Sequence, residues 1–421
     1  MNTDSFASLT LSAPLLRALS EEGYQTPTAV QLAAIPEVFA GRDLLATAQT
    51  GTGKTAAFAL PMLQMLHEGG PGHTAHIRAL ILTPTRELAL QIDESLRTYG
   101  RHLPLRTAVV LGGVPATSQI AALRRGPDIL VATPGRLLDL FGQGYVHLDR
   151  VEMLVLDEAD RMLDMGFVRD VRRIVSGLPT ARQTMFFSAT LCGDIADFAS
   201  DMLRHPSRVE VTPAASVAGT IAQKVLFVEQ VDKRALLADV LRDGSVERAL
   251  VFTRTKHGAD RVVRQLLRDG ISVEAIHSNK TQGARQRALA AFSRGAVRVL
   301  VGTDIVARGI DVEGISHVIN YEMPNDPENY VHRIGRTARA GATGIALSFC
   351  DAGEVIMLRV IEKLTKCPLT AMEDHPFHSS AIAALHDRNL QSSRVAALPE
   401  IHREFGRRNH AAVGARPRRR R

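Results

Sequence analysis

The sequence predicts an α/β protein with two successive domains, each a parallel sheet flanked by helices. Its 421 residues are too many for a single compact core. Short apolar runs alternate with longer helical patterns, which is typical of a parallel sheet. The alternation stops at a small, turn-prone segment over residues 212–219 and then starts again. The fold class is therefore two consecutive α/β units joined by a linker.

The apolar runs predict six strands in each half of the chain. Those of the first half are Asp43–Ala48, Ala79–Thr83, Thr107–Leu111, Asp128–Ala132, Val151–Leu156 and Thr184–Phe187, with helices such as Thr55–Met65 and Glu87–Tyr99 between them. Those of the second half are Val225–Val228, Arg248–Phe252, Val273–His277, Val297–Val301, His317–Asn320 and Gly344–Phe349. We expect domains over 1–207 and 223–370, a linker over 208–222, and a flexible tail over 371–421 where the periodicity fades.

Composition excludes several classes of protein. Hydrophobic residues make up 45% and charged residues 23% of the chain, as in ordinary globular proteins. No apolar stretch reaches the ~18 residues of a membrane span, and the first residues show no secretion signal. The three cysteines are widely spaced and fit neither a disulfide framework nor a zinc cluster. We expect a cytoplasmic protein with no membrane partner.

A glycine-rich loop after the first strand predicts a phosphate site. Glycines let backbone N–H groups converge on phosphate oxygens, and the following helix adds a favourable field. In Gly51-Thr52-Gly53-Lys54-Thr55, Lys54 would neutralise the β- and γ-phosphates and Thr55 would bind Mg²⁺. Lys54 is the only lysine among the first 223 residues, which contain 18 arginines, so this position requires a compact ammonium. A plain Gly-Thr turn is the alternative.

Two carboxylates follow the predicted strand Val151–Leu156. Asp157 can hold Mg²⁺ through water, and Glu158 can orient and deprotonate an attacking water. A cluster that only caps a helix is the alternative, since acidic residues favour helix starts. Together with the phosphate loop, the pair predicts a nucleoside-triphosphatase.

Residues Asp157 to Asp160 spell DEAD, and the chain from about Phe6 to Cys367 resembles the DEAD-box RNA helicases. The segments His277–Arg285 and Asp160–Phe167 look most like their bacterial RhlE-type branch. The resemblance implies two tandem RecA-like domains, ATP and Mg²⁺ as cofactors, and RNA as the partner, bound through its backbone as single strands and short duplexes. It also explains Ala48, because the family's loop begins with alanine and continues here with Gln49 and Thr50.

The resemblance also implies roles for individual residues. The adenosine contacts would be Phe6 stacking on adenine, Tyr24 and Gln31 of the adenine-reading motif, and Asp311 on the ribose. The two sites would be coupled by Asp160, Ser188, Thr190 and His332, with hydroxyls bonded to Asp160. RNA contacts would be Pro84, Thr85, Arg86, Gly113, Thr133, Pro134, Gly135, Arg136, Arg254, Gln282, Arg285 and Thr303.

The arginine fingers would be Arg336 and Arg339, which are three residues apart and therefore expected on one helical face. A solvated basic helix face is the alternative. Two positions depart from the family pattern. Ala338 replaces a usual glycine, which a helix should accept, and Ser278-Asn279 replaces the usual Gly-Asp, which leaves the contacts of that loop open.

The predicted mechanism is ATP-dependent closure of both domains on RNA, which unwinds short duplexes. A DNA translocase and an RNA clamp that remodels complexes with little unwinding are the rivals; RNA-against-DNA stimulation and a short-duplex assay separate them. A small-molecule kinase needs no second domain with paired arginines. Residues 402–421 carry eight Arg and one Glu, which accounts for the chain's net charge of +7. This Arg-rich end is expected to add salt-sensitive RNA affinity, or else solubility alone. The RNA target stays open between ribosomal precursors and RNA-degradation assemblies.

Overall fold

A computed structural model describes residues 5–48, 51–70, 76–191, 193–211, 221–304, 312, 314–338 and 343–392. These residues form two parallel seven-stranded sheets with helices on both faces. Within the described ranges, no helix is long and apolar enough to cross a membrane.

The first sheet has the strand order β3-β4-β2-β5-β6-β1-β7. Its strands are β1 (Leu44–Thr47), β2 (Ala79–Leu82), β3 (Thr107–Val110), β4 (Ile129–Ala132), β5 (Met153–Leu156), β6 (Gln183–Ser188) and β7 (Ser207–Glu210). Its helices are α1 (Ala13–Glu21), α2 (Ala29–Phe39), α3 (Lys54–Glu68), α4 (Arg86–Tyr99), α5 (Ala116–Leu123), α6 (Pro134–Gly142), α7 (Ala159–Asp164), α8 (Val168–Val175) and α9 (Asp194–Met202), preceded by a 3₁₀ turn over Phe6–Leu9.

The second sheet has the order β10-β11-β9-β12-β13-β8-β14. Its strands are β8 (Ile221–Phe227), β9 (Ala249–Phe252), β10 (Val273–Ile276), β11 (Val299–Gly302), β12 (His317–Asn320), β13 (Gly344–Cys350) and β14 (Thr370–Ala371). Its helices are α10 (Lys233–Arg242), α11 (Lys256–Arg268), α12 (Gln282–Ser293), α13 (Pro327–Ile334), α14 (Val355–Thr365) and α15 (Ser380–Ser392).

The central strands are apolar throughout because both faces of each sheet are covered. In β2, Ile81 packs into the core under one helical layer, whereas Leu80 and Leu82 pack into the core under the other. In β9, Val251 and Leu250 are divided between two cores in the same way. Since all these strands are parallel, the loops at their carboxyl ends lie along one edge of each sheet.

All twelve predicted strands are present, with ends shifted by up to a few residues. The predicted boundaries need three corrections. Residues 207–210 form β7 of the first sheet, and β8 already begins at Ile221, so the predicted linker over 208–222 is too long. Strand β7 escaped prediction because Val209 is its only buried residue.

The third correction concerns the start of the predicted tail. Residues 371–392 are not a free tail, because β14 pairs with β8 and α15 packs on the second sheet. Ile382 of α15 is 1% exposed, and the Arg359 guanidinium donates to the backbone oxygen of Leu385 at 2.9 Å. Helix α15 was not predicted because one buried apolar residue, Ile382, gives only a weak periodic signal in the sequence. Residues 393–421, with the Arg-rich end, lie outside the described residues.

Candidate nucleotide and RNA site

The loop between β1 and α3 requires glycine at two positions. Gly51 and Gly53 have φ of +84° and +89°, which side chains with a Cβ rarely adopt. A Cβ on Gly53 would lie 2.4 Å from Gln31 Nε2, so the space is also closed. Of the predicted loop, Gln49 and Thr50 lie outside the described residues. The described part has the backbone shape of a phosphate cradle, with α3 starting at Lys54.

Lys54 is a buried cation within this cradle. Its side chain is 6% exposed, and Nζ is buried and finds no hydrogen-bond partner among the described residues. Burying an ammonium without hydrogen bonds is costly unless an anion shares the site. Its charge acts on the two carboxylates beyond β5: burial raises the pKa of Asp157 and Lys54 opposes that rise, whereas Lys54 helps to lower the pKa of Glu158. The position therefore has the chemistry of an anion-binding group.

Asp157 and Glu158 are brought to Lys54 by the end of β5. Asp157 is 2% exposed, and burial raises its pKa to about 6 although Lys54 opposes the shift. Its Oδ1 accepts the N–H of Glu158 at 3.0 Å. A buried carboxylate with a raised pKa is stabilised as the anion when a cation binds beside it. The donor set of Asp157 and the Thr55 hydroxyl suits Mg²⁺, which prefers oxygen ligands.

Glu158 is held in an uncommon conformation. Its φ is +52°, in the left-handed region that costs a residue with a Cβ about 1–2 kcal/mol. Burial by itself would raise its pKa, but Arg161, Lys54 and Arg336 outweigh burial and lower it. Arg161 Nη1 donates to Glu158 Oε2 at 2.8 Å. The carboxylate is thus ionised, oriented and strained, as befits a group that must meet a water at a fixed point.

Asp160 links the carboxylate loop to the end of β6. Its Oδ2 accepts the backbone N–H groups of Ala189 at 2.9 Å and Thr190 at 3.3 Å. The hydroxyl of Ser188 instead donates to the Thr190 carbonyl at 2.6 Å. The expectation that hydroxyls bond to Asp160 was therefore wrong in detail, because amide N–H groups make the contact. The predicted connection between these segments is nevertheless present.

Arg336 belongs to the second sheet but acts on the first. It is 3% exposed and contributes to lowering the pKa of Glu158. Helix α13 ends at Ile334, so Arg336 lies beyond the helix and not on the helical face predicted for it. Ala338 lies in a bend with φ of +55°, which explains the family's glycine at this position. Arg339 and Asp311 lie outside the described residues.

Arg333 has a structural importance that the sequence did not reveal. It is fully buried and binds Asp304 twice, with Nη2 donating to Oδ2 at 2.9 Å. Nη1 donates to Asn320 Oδ1 at 3.1 Å and to the Glu322 carbonyl at 2.7 Å. The guanidinium also lies 5.0 Å from the centroid of the Phe252 ring. These contacts join four segments at the carboxyl edge of the second sheet and hold in place the end of α13, which leads to Arg336. Thr303, the residue before Asp304, is buried, with 8% of its surface exposed. His332 lies four residues before Arg336, and its backbone carbonyl accepts a hydrogen bond from Arg336 Nε at 3.2 Å.

Of the predicted adenine-reading residues, Gln31 lies beside the phosphate loop. Gln31 accepts the N–H of Thr28 at 2.8 Å and donates to the Gly53 carbonyl at 3.1 Å, so it both caps α2 and holds the loop. Phe6 is 5% exposed and packs in the first core. Tyr24 is half exposed and meets Tyr99 edge-on with ring centroids 6.2 Å apart. Adenine contact by these side chains stays a prediction.

Several of the loops predicted to bind RNA line one cavity of about 290 Å³ between the two domains, although those of Arg254 and Thr303 do not. Its lining comprises Pro84, Thr85, Arg86, Glu87, Gly112, Thr133, Gly135, Arg136, Met165, Phe167, Ser278 and Arg285. Gly113 has φ of +75°, and a Cβ there would lie 2.1 Å from Arg86 Nη1, so glycine lets this arginine cross the loop. Pro134 is buried at the start of α6, where its missing N–H costs nothing.

Two residues predicted to bind RNA bridge the two domains in this structure. Arg285 Nη2 lies 2.6 Å from Glu87 Oε2, and Gln282 Nε2 donates to Glu87 Oε1 at 3.2 Å. All three side chains are at least nine-tenths buried. Glu87 was outside the predicted site, because nothing in the sequence shows which basic residue a carboxylate will meet across domains.

The loop that departs from the family pattern has contacts of its own. Asn279 Oδ1 accepts from Lys256 Nζ at 2.9 Å, and Ser278 lines the cavity. The neighbouring Arg254 is held from domain two alone, with Nη2 3.3 Å from Glu354 Oε1. Ser278 is thus the residue of this loop that lines the cavity, whereas Asn279 and Arg254 do not line it.

Comparisons with known proteins agree with this geometry. Residues 28–198 match the DEAD/DEAH box helicase family and residues 232–341 match the helicase conserved C-terminal domain. The DEAD-box ATP-dependent RNA helicase CshA of Bacillus subtilis is 40% identical over 372 residues, covering 88% of this chain and 74% of that protein.

Two solved structures share the fold. Dbp5 of S. cerevisiae bound to RNA and ADP BeF3 has a TM-score of 0.79 at 30% identity, covering 88% of this chain and 95% of that one. Mss116 bound to ssRNA and UDP-BeF has a TM-score of 0.81 at 25% identity, covering 91% and 82%. The two sheets are tandem RecA-like domains, and the chain belongs to the DEAD-box ATP-dependent RNA helicases.

Proposed function

We propose that this helicase hydrolyses ATP in a site that is complete only when both domains meet. The observation that carries the proposal is electrostatic: Arg336 of the second domain helps to lower the pKa of Glu158 in the first. Lys54 would bind the β- and γ-phosphates, and Gln31 would read the adenine edge beside the loop it holds. Glu158 would orient the attacking water and take its proton.

A bound Mg²⁺ would neutralise phosphate charge, and Thr55 and Asp157 are the residues that would hold it. Arg336, with Arg339, would stabilise charge that develops on the transferred phosphoryl group. Asp160 would relay the state of this site to Ala189 and Thr190, because its carboxylate holds their backbone N–H groups.

RNA would bind through its backbone along the loops that line the 290 Å³ cavity. Threonine hydroxyls, Arg86, Arg136 and helix starts suit phosphate oxygens and do not read bases. Because residues of both domains line this cavity, a bound strand would favour the closed arrangement. Closure would therefore raise ATPase turnover and would separate a short duplex that cannot follow the bent path.

The test is the steady-state ATPase rate with and without RNA. Glu158→Gln should lower the RNA-stimulated rate by about 10²–10⁴-fold, and Arg336→Ala by about 10³–10⁵-fold. The exposed residues Glu210 and Arg294 supply matched controls, Glu210→Gln and Arg294→Ala, which should leave the rate unchanged. A rate equal to wild type in either site variant would refute the assigned roles. Unwinding of a short RNA duplex, compared with a DNA duplex, tests the coupled activity.

Finer assignments from the sequence stay predictions. The RhlE-type branch is one, and the curated relative reported above carries the name CshA instead. Ribosomal precursors and RNA-degradation assemblies remain the candidate targets, and a cytoplasmic location is expected. We place the domain boundary between Val211 and Ile221, where the first sheet ends and the second begins. RNA crosslinking in cells would identify the target.

A further inference from the structure

A second cavity, of about 730 Å³, lies in the first domain away from the site described above. It opens where α4 ends, where β3 begins and where α5 ends. The nucleotide and RNA loops follow the carboxyl ends of the strands, whereas this cavity lies at the amino end of edge strand β3. A four-residue strand spans roughly 10 Å, so the two sites are at opposite edges of one sheet. A ligand here need not compete with ATP or RNA.

The rim of the cavity is basic. Its described lining contains four arginines, Arg97, Arg101, Arg106 and Arg125, and no acidic residue. Arg106 Nη1 donates only to the backbone carbonyl of Arg125, at 3.0 Å, and the Arg125 side chain has no hydrogen bond or ion pair within the described ranges. Guanidinium groups bind carboxylates through paired N–H donors. The rim therefore offers at least two cations that the described fold does not neutralise.

The other two arginines have partners that an incoming anion could replace. Arg97 pairs with Asp93 at 2.9 Å, and Arg101 contacts Glu21 at 3.3 Å as well as Glu22. The Arg97 side chain is 65% exposed but that of Asp93 only 10%, and Asp93 also accepts from the Thr107 hydroxyl at 2.6 Å, so it keeps a hydrogen bond if Arg97 turns to a ligand. Arg106 and Arg125, which have no carboxylate partner for their side chains within the described ranges, are therefore the cations that a ligand would engage at least cost.

The floor of the cavity is apolar and aliphatic. Leu63, Leu96, Leu103 and Leu105 line it together with Pro127. Nucleic-acid sites usually offer aromatic rings on which bases stack, and the described lining contains none. An aliphatic floor instead suits an aliphatic side chain, and burying one leucine contributes about 1.5–3 kcal/mol. The combination favours a peptide over an oligonucleotide.

We propose that this cavity binds an acidic peptide segment of a partner protein, with a leucine or similar side chain on the floor and carboxylates on Arg106 and Arg125. Such a segment would tether the helicase to its partner while leaving the nucleotide site and the RNA site free. The volume, about 730 Å³, accommodates one such side chain and its flanking backbone.

The experiment uses the full chain and a synthetic 12-residue peptide of Asp and Glu with one central photo-reactive leucine. Crosslinks should map to residues 96–106 and 122–127. Affinity should fall about tenfold in the double variant Arg106→Ser/Arg125→Ser, and about tenfold when the peptide carries serine in place of leucine. Unchanged RNA-stimulated ATPase in the double variant confirms that it is folded.

A matched control corrects for charge, since the Arg-rich end also attracts acidic peptides. Arg208→Ser/Arg268→Ser removes two exposed arginines elsewhere and leaves that end intact. An equal loss of affinity in this control, or crosslinks confined to residues 402–421, would overturn the proposal. Loss of the crosslinks at the cavity when an oligouridylate is added before irradiation would overturn it too, in favour of nucleic acid. Binding that persists with a non-hydrolysable ATP analogue and RNA supports the separate site.

Discussion

The pair between Glu87 and Arg285 should hold the two domains in the closed arrangement. Glu87→Gln keeps the size of the side chain but removes the charge that binds Arg285 at 2.6 Å. A hydrogen bond to a charged group contributes about 1.5–3 kcal/mol. Breaking a buried pair can cost more, but here glutamine can still accept a hydrogen bond and Arg285 regains water when the domains open. We therefore expect the lower range, which weakens closure about 10- to 150-fold.

The assay is RNA affinity with and without a non-hydrolysable ATP analogue, since only the nucleotide-dependent increase reports closure. Glu87→Gln should reduce that increase by the stated factor and leave the nucleotide-free affinity unchanged. Glu94→Gln alters an exposed residue of the same helix and should change neither. Adding Arg285→Gln should cause no further loss, because the partner is already gone. Additive losses would show that Arg285 acts on RNA instead, and an effect of Glu94→Gln as large as that of Glu87→Gln would refute the reasoning.

Three further predictions concern single positions. Asp157→Asn should abolish ATPase activity yet raise the free energy of unfolding by up to about 3 kcal/mol at pH 7.5, since the buried carboxyl has a pKa of about 6 against an ordinary 3.8. The cost of burying the ionised carboxylate is complete above pH 6 and fades toward pH 3.8, so urea unfolding at pH 5 should show about half the gain. An equal gain at both pH values would contradict the assignment. Gly53→Ala should abolish binding of a fluorescent ATP analogue. The control Gly144→Ala should not, because Gly144 has a similar φ of +78° but no atom within 4 Å of the added Cβ. Equal binding by both variants would show that the close approach of Gln31 to position 53 is unimportant. Ala338→Gly should raise the free energy of unfolding of the second domain by about 1 kcal/mol, while Ala290→Gly within α12 should lower it by about as much, and a loss in both would rule out left-handed strain at Ala338.

The sequence predicted most of the fold because the signal is local. Parallel strands that are buried on both faces appear as continuous apolar runs, and all twelve predicted runs became strands. The two unpredicted strands, β7 and β14, lie at sheet edges, where one buried residue or none is enough. Edge strands are stabilised by pairing with a neighbour, and their own sequence carries little of that information.

The nucleotide loop could be predicted for a similar reason. Its glycines, Lys54 and the two carboxylates each follow a strand directly, so their place at the carboxyl edge comes from chain order alone. Chain order did not predict conformation, however. Arg336 and Arg339 were expected on one helical face, yet α13 stops at Ile334, and the glycine-like φ of Ala338 shows that the chain turns there.

The hydrophobic and polar pattern of the sequence does not predict which residues of one domain will contact the other. Gln282 and Arg285 look like phosphate-binding residues because they are polar and open a helix, and that reasoning has no means of including Glu87, nearly two hundred residues earlier. The carboxylate takes the place that an RNA phosphate was expected to occupy, with the same charge and the same donors. A buried pair of this kind can form only when the two sheets meet, whereas an RNA contact could form on the second domain alone. If Gln282 and Arg285 pair with Glu87, their contribution requires closure; if they bind RNA, it does not. The nucleotide dependence of RNA affinity distinguishes the two interpretations.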